Sequence, residues 1–379
     1  MREVVIVEAV RTPIGKHKGA LSAVHPQELA AYTLKELIKR TGISPSLVED
    51  VIFGVGMQVG KQGFDLARVA ALIADFPIEV PGVVVERQCG SGQQAIHFAA
   101  QAILSGDMDV VIAGGVENMS HVMPLAIADH SEEYFKRYEV LHQGVSAERV
   151  SDKWGLSRTQ LDEFSLESHR RAVHAQKEGR FEREITPIEV TLPDGTTSIF
   201  AADEGPRENT SLEKLATLKP VFQEGGKIHA GNSSQISDGA AAILIMSRDK
   251  AEELGLKPRA RIISRSVVGS DPTLMLTGPI EASKRVLEKS GLTIEDMDLY
   301  EVNEAFAPVP MVWAQELGAD WNKLNVNGGA VALGHPIGCT GARIMTTLLH
   351  ELERSGGKYG LMSICEGHGQ ANATIIERL

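Results

Sequence analysis

The chain has 379 residues, of which 43% are hydrophobic and 23% charged, and its formal net charge is −12. This length exceeds the size at which one hydrophobic core stops growing, so we expect more than one packed unit. The negative charge argues against nucleic acid and anionic membranes as partners, because such ligands need a concentrated basic face. The three cysteines are far apart, which predicts a reduced, cytoplasmic protein without disulfides.

The first 117 residues alternate short apolar runs with helical patterns, which predicts helices packed on a sheet. Residues 4–7 already have the pattern of a buried strand, so no signal segment is expected, and no apolar run is long enough to span a membrane. We expect strands over 3–9, 50–55, 82–88 and 109–114, and helices over 25–40 and 89–105. The C-terminal part repeats the scheme, with strands expected over 260–268, 297–302, 358–364 and 373–378.

Residues 118–234 differ from both flanking parts, because they carry most of the charge runs and few long apolar strands. The stretch is too long for a plain connection, which predicts a loop domain laid over one half. Within it, Ser157 and Gln160 have the spacing of a capping box, so we expect an amphipathic helix over 157–179.

The two flanking parts can be laid on each other without a gap. Residues 48–54 match residues 294–300, Cys89 matches Cys339, and a Ser-Gly pair follows each cysteine at the same distance. An ordered series with one shared offset indicates a duplicated α/β unit with a pseudo-twofold axis. The predicted domains are therefore residues 1–117 completed by 235–258, the loop domain 118–234, and the second half 259–379.

Cys89 lies where the predicted strand 82–88 meets the predicted helix 89–105 and is followed by Gly90-Ser91-Gly92. Unpaired N–H groups and the positive end of the helix dipole lower the pKa of a thiol at such a place and favour a nucleophilic thiolate. Many free cysteines are instead small buried hydrophobic residues. Because Cys339 is expected in the same local setting, position alone does not identify the nucleophile.

Three reactive side chains of the second half follow glycine-rich turns or predicted strands. His335 lies among four glycines between residues 327 and 338, in a tight loop that would present an imidazole base to a thiol, or simply bond it inside the turn. Cys365 and Asn303 follow predicted strands, where α/β folds place reactive groups, and an amide there can hold a water or donate to an oxyanion. Together with Cys89, such a set would suit acyl transfer between two thiol carriers.

Other motifs are weaker. Residues 54–60 resemble a dinucleotide-binding loop but have one residue too many before the last glycine. Cys365 and His368 have the spacing of a ligand pair, but no second pair accompanies them, so no metal is expected. The small polar residues 231–240 are typical either of a capped loop before a buried strand or of backbone that contacts a ligand.

Several blocks of the sequence, taken together, resemble the thiolase family over the whole chain. They are Cys89-Gly90-Ser91-Gly92, Asn303-Glu304-Ala305-Phe306-Ala307, Gly334-His335-Pro336 and Cys365-x-Gly367-x-Gly369. The resemblance implies a five-layer αβαβα thiolase fold made of two βαβαβαββ halves with an inserted loop domain. It also implies a 3-ketoacyl-CoA thiolase, an acyltransferase that cleaves its substrate reversibly with coenzyme A. Coenzyme A would be a co-substrate, no cofactor would be bound permanently, and the enzyme would be a homodimer or homotetramer.

The resemblance also implies a role for each matching residue. Cys89 would receive the acyl group, and His335 would activate it. His335 and a water held by Asn303 would line the oxyanion hole for the substrate thioester, while backbone N–H groups of Cys89 and Gly367 would form a second hole. Cys365 would exchange a proton with the acetyl-CoA carbon, which suits an acid close to neutral pH beside paired donors.

The coenzyme A site and the specificity are implied less directly. Ser234 and His142 match family positions that contact coenzyme A. His368 stands where the family has glycine, while the other residues of that block are kept. Gln143 stands where short-chain biosynthetic members have methionine, which argues against a specificity for acetoacetyl-CoA alone. The start Cys89-Gly90-Ser91-Gly92-Gln93-Gln94 and the block 233–238 resemble thiolases that degrade steroid-like or other bulky acyl groups. The stretch 118–142 is shorter than the tetramerisation loop of tetrameric members, which favours a dimer over a tetramer.

Three alternatives remain open from the sequence. An acetoacetyl-CoA-specific biosynthetic thiolase would share every catalytic block. A ketoacyl synthase would pair one cysteine with two histidines, or with a histidine and an asparagine, and Cys365 argues against it. A non-catalytic lipid carrier of thiolase shape would be favoured by loss of Cys89, His335 or Cys365, and all three are present.

Overall fold

The computed structural model describes residues 2–122, 130–191 and 195–379. Within these residues the strands are β1 (Val4–Arg11), β2 (Gly15–Lys16), β3 (Asp50–Gly54), β4 (Gly82–Val85), β5 (Val110–Asn118), β6 (Ile188–Thr191), β7 (Thr197–Phe200), β8 (Ser237–Ser247), β9 (Ala260–Gly269), β10 (Leu299–Val302), β11 (Tyr359–Glu366) and β12 (Gln370–Arg378). The α-helices are α1 (Pro26–Thr41), α2 (Leu66–Ile73), α3 (Ser91–Ser105), α4 (Glu132–Arg137), α5 (Gln143–Lys153), α6 (Arg158–Lys177), α7 (Leu212–Ala216), α8 (Arg248–Glu253), α9 (Gly278–Ser290), α10 (Pro308–Leu317), α11 (Ala330–Leu333) and α12 (Ile337–Ser355).

The elements predicted from the hydrophobic pattern are confirmed, with bounds that move by a few residues. The capping box of α6 is also confirmed. Ser157 Oγ accepts the N–H of Gln160 at 3.2 Å, and Gln160 Oε1 accepts the N–H of Ser157 at 2.8 Å. These two bonds satisfy donors that a helix start otherwise leaves unpaired, so local sequence alone defines where α6 begins.

The two halves place their strands in the same order. The first half runs β1-β8-β5-β3-β4 and the second runs β9-β12-β11-β10, as the duplication predicts. Short pairing of Val5 with Arg261 and of Ile6 with Ala260 joins the two sheets into one of ten strands. In the first half β4 pairs with β3. At the matching place beside β10, the second half has an isolated bridge between Tyr300 and Leu324 instead of a strand.

The apolar side chains form cores on both faces of each half-sheet. Helices α1 and α2 cover the outer face of the first half, and α9 and α10 cover the outer face of the second. Helices α3 and α12 lie between the half-sheets and share one core with both of them. The expected five-layer αβαβα arrangement is therefore confirmed, and its central helices are the ones that follow Cys89 and His335 in the chain.

The two central helices end alike but begin differently. Gly106 and Gly356 close them in left-handed conformation, at matching places in the repeat. Helix α12 begins at Ile337, so Cys339 lies inside its first turn, whereas Cys89 lies two residues before α3. The expectation that both cysteines have the same local setting is therefore wrong. Only Cys89 lies in a turn outside the helix.

Between β5 and β8 the described residues form α4 to α7 and the hairpin of β6 and β7, and α6 packs on α11 of the second half. The division into domains 1–117 with 235–258, 118–234 and 259–379 remains a prediction. The stretch 118–142 contains residues 123–129, so the prediction about its length and assembly falls partly outside the described residues. No helix in the described part of the chain combines the length and apolarity that a bilayer crossing requires.

Candidate active site

Two glycines let the starts of the central helices come together. A Cβ atom on Gly92 would lie 2.7 Å from the carbonyl oxygen of Gly338, and a Cβ atom on Gly338 would lie 2.7 Å from the carbonyl oxygen of Gly54. Real side chains do not tolerate such distances, so this packing requires glycine at both places. Because Cys89 and His335 each precede one of these glycines by three residues, the contact draws both residues to the interface between the halves.

Cys89 is buried, with 5% of its surface exposed, and follows Gln88, whose φ is 47°. A non-glycine residue in this left-handed region costs about 1–3 kcal/mol, so surrounding contacts must hold the turn. Burial raises the pKa of Cys89 well above its usual value, and negative charge on Cys365 and Glu366 raises it further. The expected low thiol pKa is therefore wrong for the resting protein. The helix begins beyond the thiol, and desolvation outweighs the dipole.

His335 is oriented by two hydroxyl groups. Its Nδ1 lies 2.6 Å from Thr340 Oγ1, and because the Thr340 hydroxyl donates to the Pro336 carbonyl at 2.8 Å, Oγ1 accepts the proton of Nδ1. The backbone N–H of His335 donates to Ser237 Oγ at 2.7 Å. This assigns the proton to Nδ1 and leaves Nε2 unprotonated, with a lone pair that can act as a base.

The imidazole is also kept neutral. Burial, followed by the positive charge of Arg343, lowers the pKa of His335 to about 3. Near neutral pH the resting pair is therefore a thiol and a neutral imidazole, not an ion pair. Cys89 would lose its proton to Nε2 as it attacks, which is how a neutral histidine activates a weak nucleophile.

Asn303 comes from the strand beside the one that carries Cys365. Strands β10 and β11 pair in parallel, and the backbone N–H of Asn303 donates to the Ser363 carbonyl at 3.0 Å. Its Nδ2 donates to His335 Nε2 at 3.4 Å, and its buried Oδ1 has no hydrogen-bond partner among the described residues. An unpaired buried carbonyl oxygen beside the base suits an ordered water.

Cys365 lies near the end of β11, and Gly367 lies on the loop that follows it and meets the Cys89 turn. Cys365 is the last residue but one of β11, and burial, followed by the charge of Glu366, raises its pKa to about 12. A Cβ atom on Gly367 would lie 3.1 Å from the side chain of Gln88, the residue before Cys89. The two loops are thus in contact, and the structure brings Cys89, Cys365 and Gly367 together.

His142 and Ser234 lie against the segment that follows Asn303. The His142 ring stacks on Phe222 with ring centroids 4.8 Å apart, and Phe222 meets the edge of Phe306 at 5.9 Å. The backbone N–H of Ser234 donates to the Ala305 carbonyl at 2.9 Å. Burial lowers the pKa of His142. These contacts give one side of the site an aromatic wall that polar groups border.

Sequence reasoning missed Thr340 and Ser237. Thr340 lies in the first turn of α12, five residues after His335, and Ser237 opens β8, which is distant in sequence. The only local signal for Ser237 is the run of small polar residues at 231–240. Its contact with His335 depends on how the halves pack, so spacing alone could not reveal it.

The weaker motifs have structural explanations. The backbone N–H groups of Gly56 and Met57 donate to the buried carboxylate of Glu117, at 2.7 and 3.2 Å. Glu117 also accepts the N–H of Gly338, so this glycine loop binds a protein carboxylate where a dinucleotide loop would bind phosphate. Among residues 2–122, 130–191 and 195–379, no group of three His, Cys, Asp or Glu side chains is arranged to hold a metal ion.

Comparison with known proteins gives consistent matches over the whole chain. Residues 4–249 match the family model described as thiolase, N-terminal domain, and residues 256–378 match thiolase, C-terminal domain. The chain is 49% identical to steroid 3-ketoacyl-CoA thiolase FadA6 of Mycobacterium tuberculosis, covering 100% of this chain and 95% of that protein. A 3-ketoacyl-CoA thiolase of Vibrio vulnificus is 45% identical, covering 100% of both chains.

Solved structures agree. The acetyl-CoA acetyltransferase of Bacillus anthracis superposes with a TM-score of 0.93 at 43% identity and covers 100% of this chain and 99% of that one. Human mitochondrial 3-ketoacyl-CoA thiolase superposes with a TM-score of 0.92 at 38% identity, with the same coverage. The matched family models and the superposed structures thus agree with each other and with the types of residue found at the site.

Proposed function

This chain belongs to the thiolase family, and we propose that it cleaves 3-ketoacyl-CoA with coenzyme A through an acyl group carried on Cys89. The proposal is supported by the contact between the segments that carry the buried thiols Cys89 and Cys365, and by an oriented imidazole at His335, which precedes the packed glycine Gly338 by three residues. Thiolases are acyltransferases that act on coenzyme A thioesters, so the proposal concerns which residues perform each step.

In the first step, the Cys89 sulfur attacks the 3-keto carbonyl of the substrate while His335 Nε2 takes the thiol proton. N–H groups of Cys89 and Gly367 receive the oxyanion of the tetrahedral intermediate. The carbon–carbon bond then breaks and expels the enolate of acetyl-CoA. The protonated Nε2 and a water on Asn303 stabilise the enolate oxygen, and Cys365 gives its proton to the enolate carbon.

In the second step, the Cys365 thiolate takes the proton of incoming coenzyme A. The coenzyme A sulfur attacks the acyl group on Cys89, and the Cys89 sulfur leaves and regains its proton from His335. Both thiols end as they began, so the chemistry needs no permanently bound cofactor. We place coenzyme A along the wall formed by His142, Ser234 and the two phenylalanines, because an apolar wall bordered by polar groups suits its long arm.

The structure gives a reason to propose a bulky acyl group as the preferred substrate. His368, three residues after Cys365, has a φ of 62°, and its Nδ1 lies 3.3 Å from the Tyr134 hydroxyl. The His130 ring meets the His368 ring edge-on, with ring centroids 4.9 Å apart. Helix α4 and His130 before it therefore form an aromatic cluster beside the loop that follows Cys365. Aromatic rings offer flat contact area to ring-bearing ligands. The relative named a steroid 3-ketoacyl-CoA thiolase supports the same assignment.

A substrate panel tests activity and specificity together. We expect ring-bearing 3-ketoacyl-CoA to have the highest kcat/KM, followed by long straight chains and then acetoacetyl-CoA. His368→Gly should lower the ratio of kcat/KM for ring-bearing substrates to kcat/KM for straight-chain substrates by about tenfold, since apolar pocket contacts contribute discrimination of that order. Lys136→Ala, on the same helix as Tyr134, is the matched control and should leave the order unchanged. Cleavage of acetoacetyl-CoA alone would favour the biosynthetic alternative, and binding without cleavage would favour the lipid carrier.

We also propose a cytoplasmic homodimer and regard a homotetramer as the less favoured assembly. Strand β4 is the edge of the sheet, and apolar side chains around it are exposed, with Phe64 98%, Ile78 76% and Val83 42% accessible. Exposed sheet edges with apolar neighbours favour pairing with another chain. Three free thiols favour a reducing compartment. A monomeric mass in sedimentation equilibrium would contradict the dimer.

A further inference from the structure

Glu366 is a buried carboxyl group that the proposed mechanism does not use. It follows Cys365 directly, is 1% exposed, and neither of its oxygens has a hydrogen-bond partner among the described residues. Burying a carboxyl group without partners is costly, and native proteins keep such groups mainly where they have a use. Because Glu366 lies directly beside the proposed catalytic thiol of Cys365, its carboxyl group can influence how that thiol ionises.

The carboxyl group lies at the contact between the two cysteine loops. A Cβ atom on Gly90 would lie 1.8 Å from Glu366 Oε1, so the carboxyl group touches the residue that follows Cys89 and caps α3. Gly367, the next residue, touches the Gln88 side chain that precedes Cys89. Glu366 therefore occupies the space between one loop from each half of the protein.

The charged groups that face this carboxyl are few. Arg87 attracts it and Glu86 repels it, from the strand end before Cys89, and the thiols of Cys89 and Cys365 are its other titratable neighbours. Arg87 Nη1 donates to Gln370 Oε1 at 2.8 Å, and its Nε has no partner in the described part of the chain.

A second buried carboxyl faces Cys89 from β5, but its situation is different. Glu117 accepts backbone N–H groups of Gly56, Met57 and Gly338 and the amide of Gln62. Hydrogen-bond donors therefore surround the Glu117 carboxylate, whereas the Glu366 carboxyl group has no hydrogen-bond partner among the described residues. Any negative charge on Glu366 acts on the neighbouring thiols with little local compensation.

We propose that Glu366 is a positioning residue that packs the two catalytic loops together and limits the negative charge that Cys89 and Cys365 can carry. This inference rests on the roles proposed above for the two thiols. Burial raises the pKa of Glu366 well above its usual value, so the carboxyl group gains its negative charge only at a higher pH than an exposed glutamate does. Once Glu366 is ionised, its charge holds a thiolate at Cys365 at high energy, which makes that thiolate a strong base toward the coenzyme A thiol.

Alkylation of the folded full-length chain tests the inference without turnover. Iodoacetamide reacts with thiolates, so the rate at each cysteine, read by peptide mass spectrometry over a pH series, reports where each thiol ionises. In Glu366→Gln the pH midpoint for Cys89 and Cys365 should fall by about one unit, because a neighbouring like charge is removed. The alkaline limb of the kcat/KM profile should move in the same direction.

Matched variants separate this role from simple packing. Glu366→Met fills a similar volume without charge and should give the same shift, and replacing an unpartnered carboxyl by an apolar group should not prevent folding. Glu86→Gln removes an exposed carboxylate three residues from Cys89 and should give no shift. Unchanged midpoints in both Glu366 variants, or an equal shift in Glu86→Gln, would overturn the inference. Loss of the proposed function is a separate result, seen as absence of acyl-Cys89 in the unaltered protein.

Discussion

Cys89→Ala is expected to lower thiolytic turnover by at least about 10⁴-fold and to remove the acyl-enzyme, because alanine has no sulfur with which to form the thioester. The intact mass after incubation with acyl-CoA should show no covalent increment, whereas the unaltered chain should show one. Binding of coenzyme A should persist, since the wall around His142 and Ser234 is untouched. The loss should therefore appear in kcat rather than in affinity.

Cys339→Ala is the matched control for this experiment. Cys339 is the counterpart of Cys89 in the repeat, but it lies inside the first turn of α12. It occupies the apolar core between the half-sheets, where alanine is tolerated with a modest loss of stability. The control should keep both the mass increment and turnover. A retained increment in Cys89→Ala would refute the assignment of the nucleophile.

Cys365→Ala is expected to separate acyl transfer from carbon–carbon bond cleavage. The variant should still acylate Cys89, because His335 activates that thiol without help from Cys365. Thiolysis of 3-ketoacyl-CoA should fall by about 10²–10⁴-fold, the usual contribution of a positioned general acid. The mass increment on Cys89 after incubation with acetyl-CoA, measured beside thiolysis on the same preparation, separates acylation from carbon–carbon bond cleavage.

Loss of the mass increment together with thiolysis would mean that Cys365 is needed for acylation as well, and the proposed separation of the two roles would be wrong. Normal thiolysis would mean that Cys365 is structural. Because the thiol is buried and lies in the core of the second half, the folded state should be checked by thermal unfolding before either conclusion is drawn. Cys365→Ser, which keeps a weak proton donor of similar size, should lie between the two extremes.

Much of the fold could be predicted because its signals are local. Alternating apolar residues, the capping box of α6 and the repeat of 48–54 in 294–300 each depend on neighbours in the chain. The strands and the duplicated order follow from them, and so does the expectation that residues at strand ends converge. In the structure Asn303 contacts His335, and the segments that carry Cys89, Cys365 and Gly367 contact each other, while the catalytic roles of these residues remain predictions.

The electrostatics of the site could not be predicted, because burial is a property of the packed molecule. A thiol before a helix suggests a low pKa, but two half-sheets and two central helices enclose Cys89, and desolvation reverses the sign. The same enclosure keeps His335 neutral. Thr340 and Ser237, which orient that imidazole, become visible only once α12 and β8 are placed. Glu366 lies in a recognisable block, yet nothing in its spacing reveals its contact with Gly90.

The central claim is that Cys89 carries the acyl group, and one measurement tests it most directly. The unaltered protein is incubated with 3-ketoacyl-CoA without free coenzyme A, digested, and its cysteine peptides are weighed. We predict an acyl increment on the peptide containing Cys89 that disappears when coenzyme A is added, with release of acyl-CoA. An increment on the Cys339 or Cys365 peptide instead, or turnover with no increment on any cysteine, would contradict the mechanism.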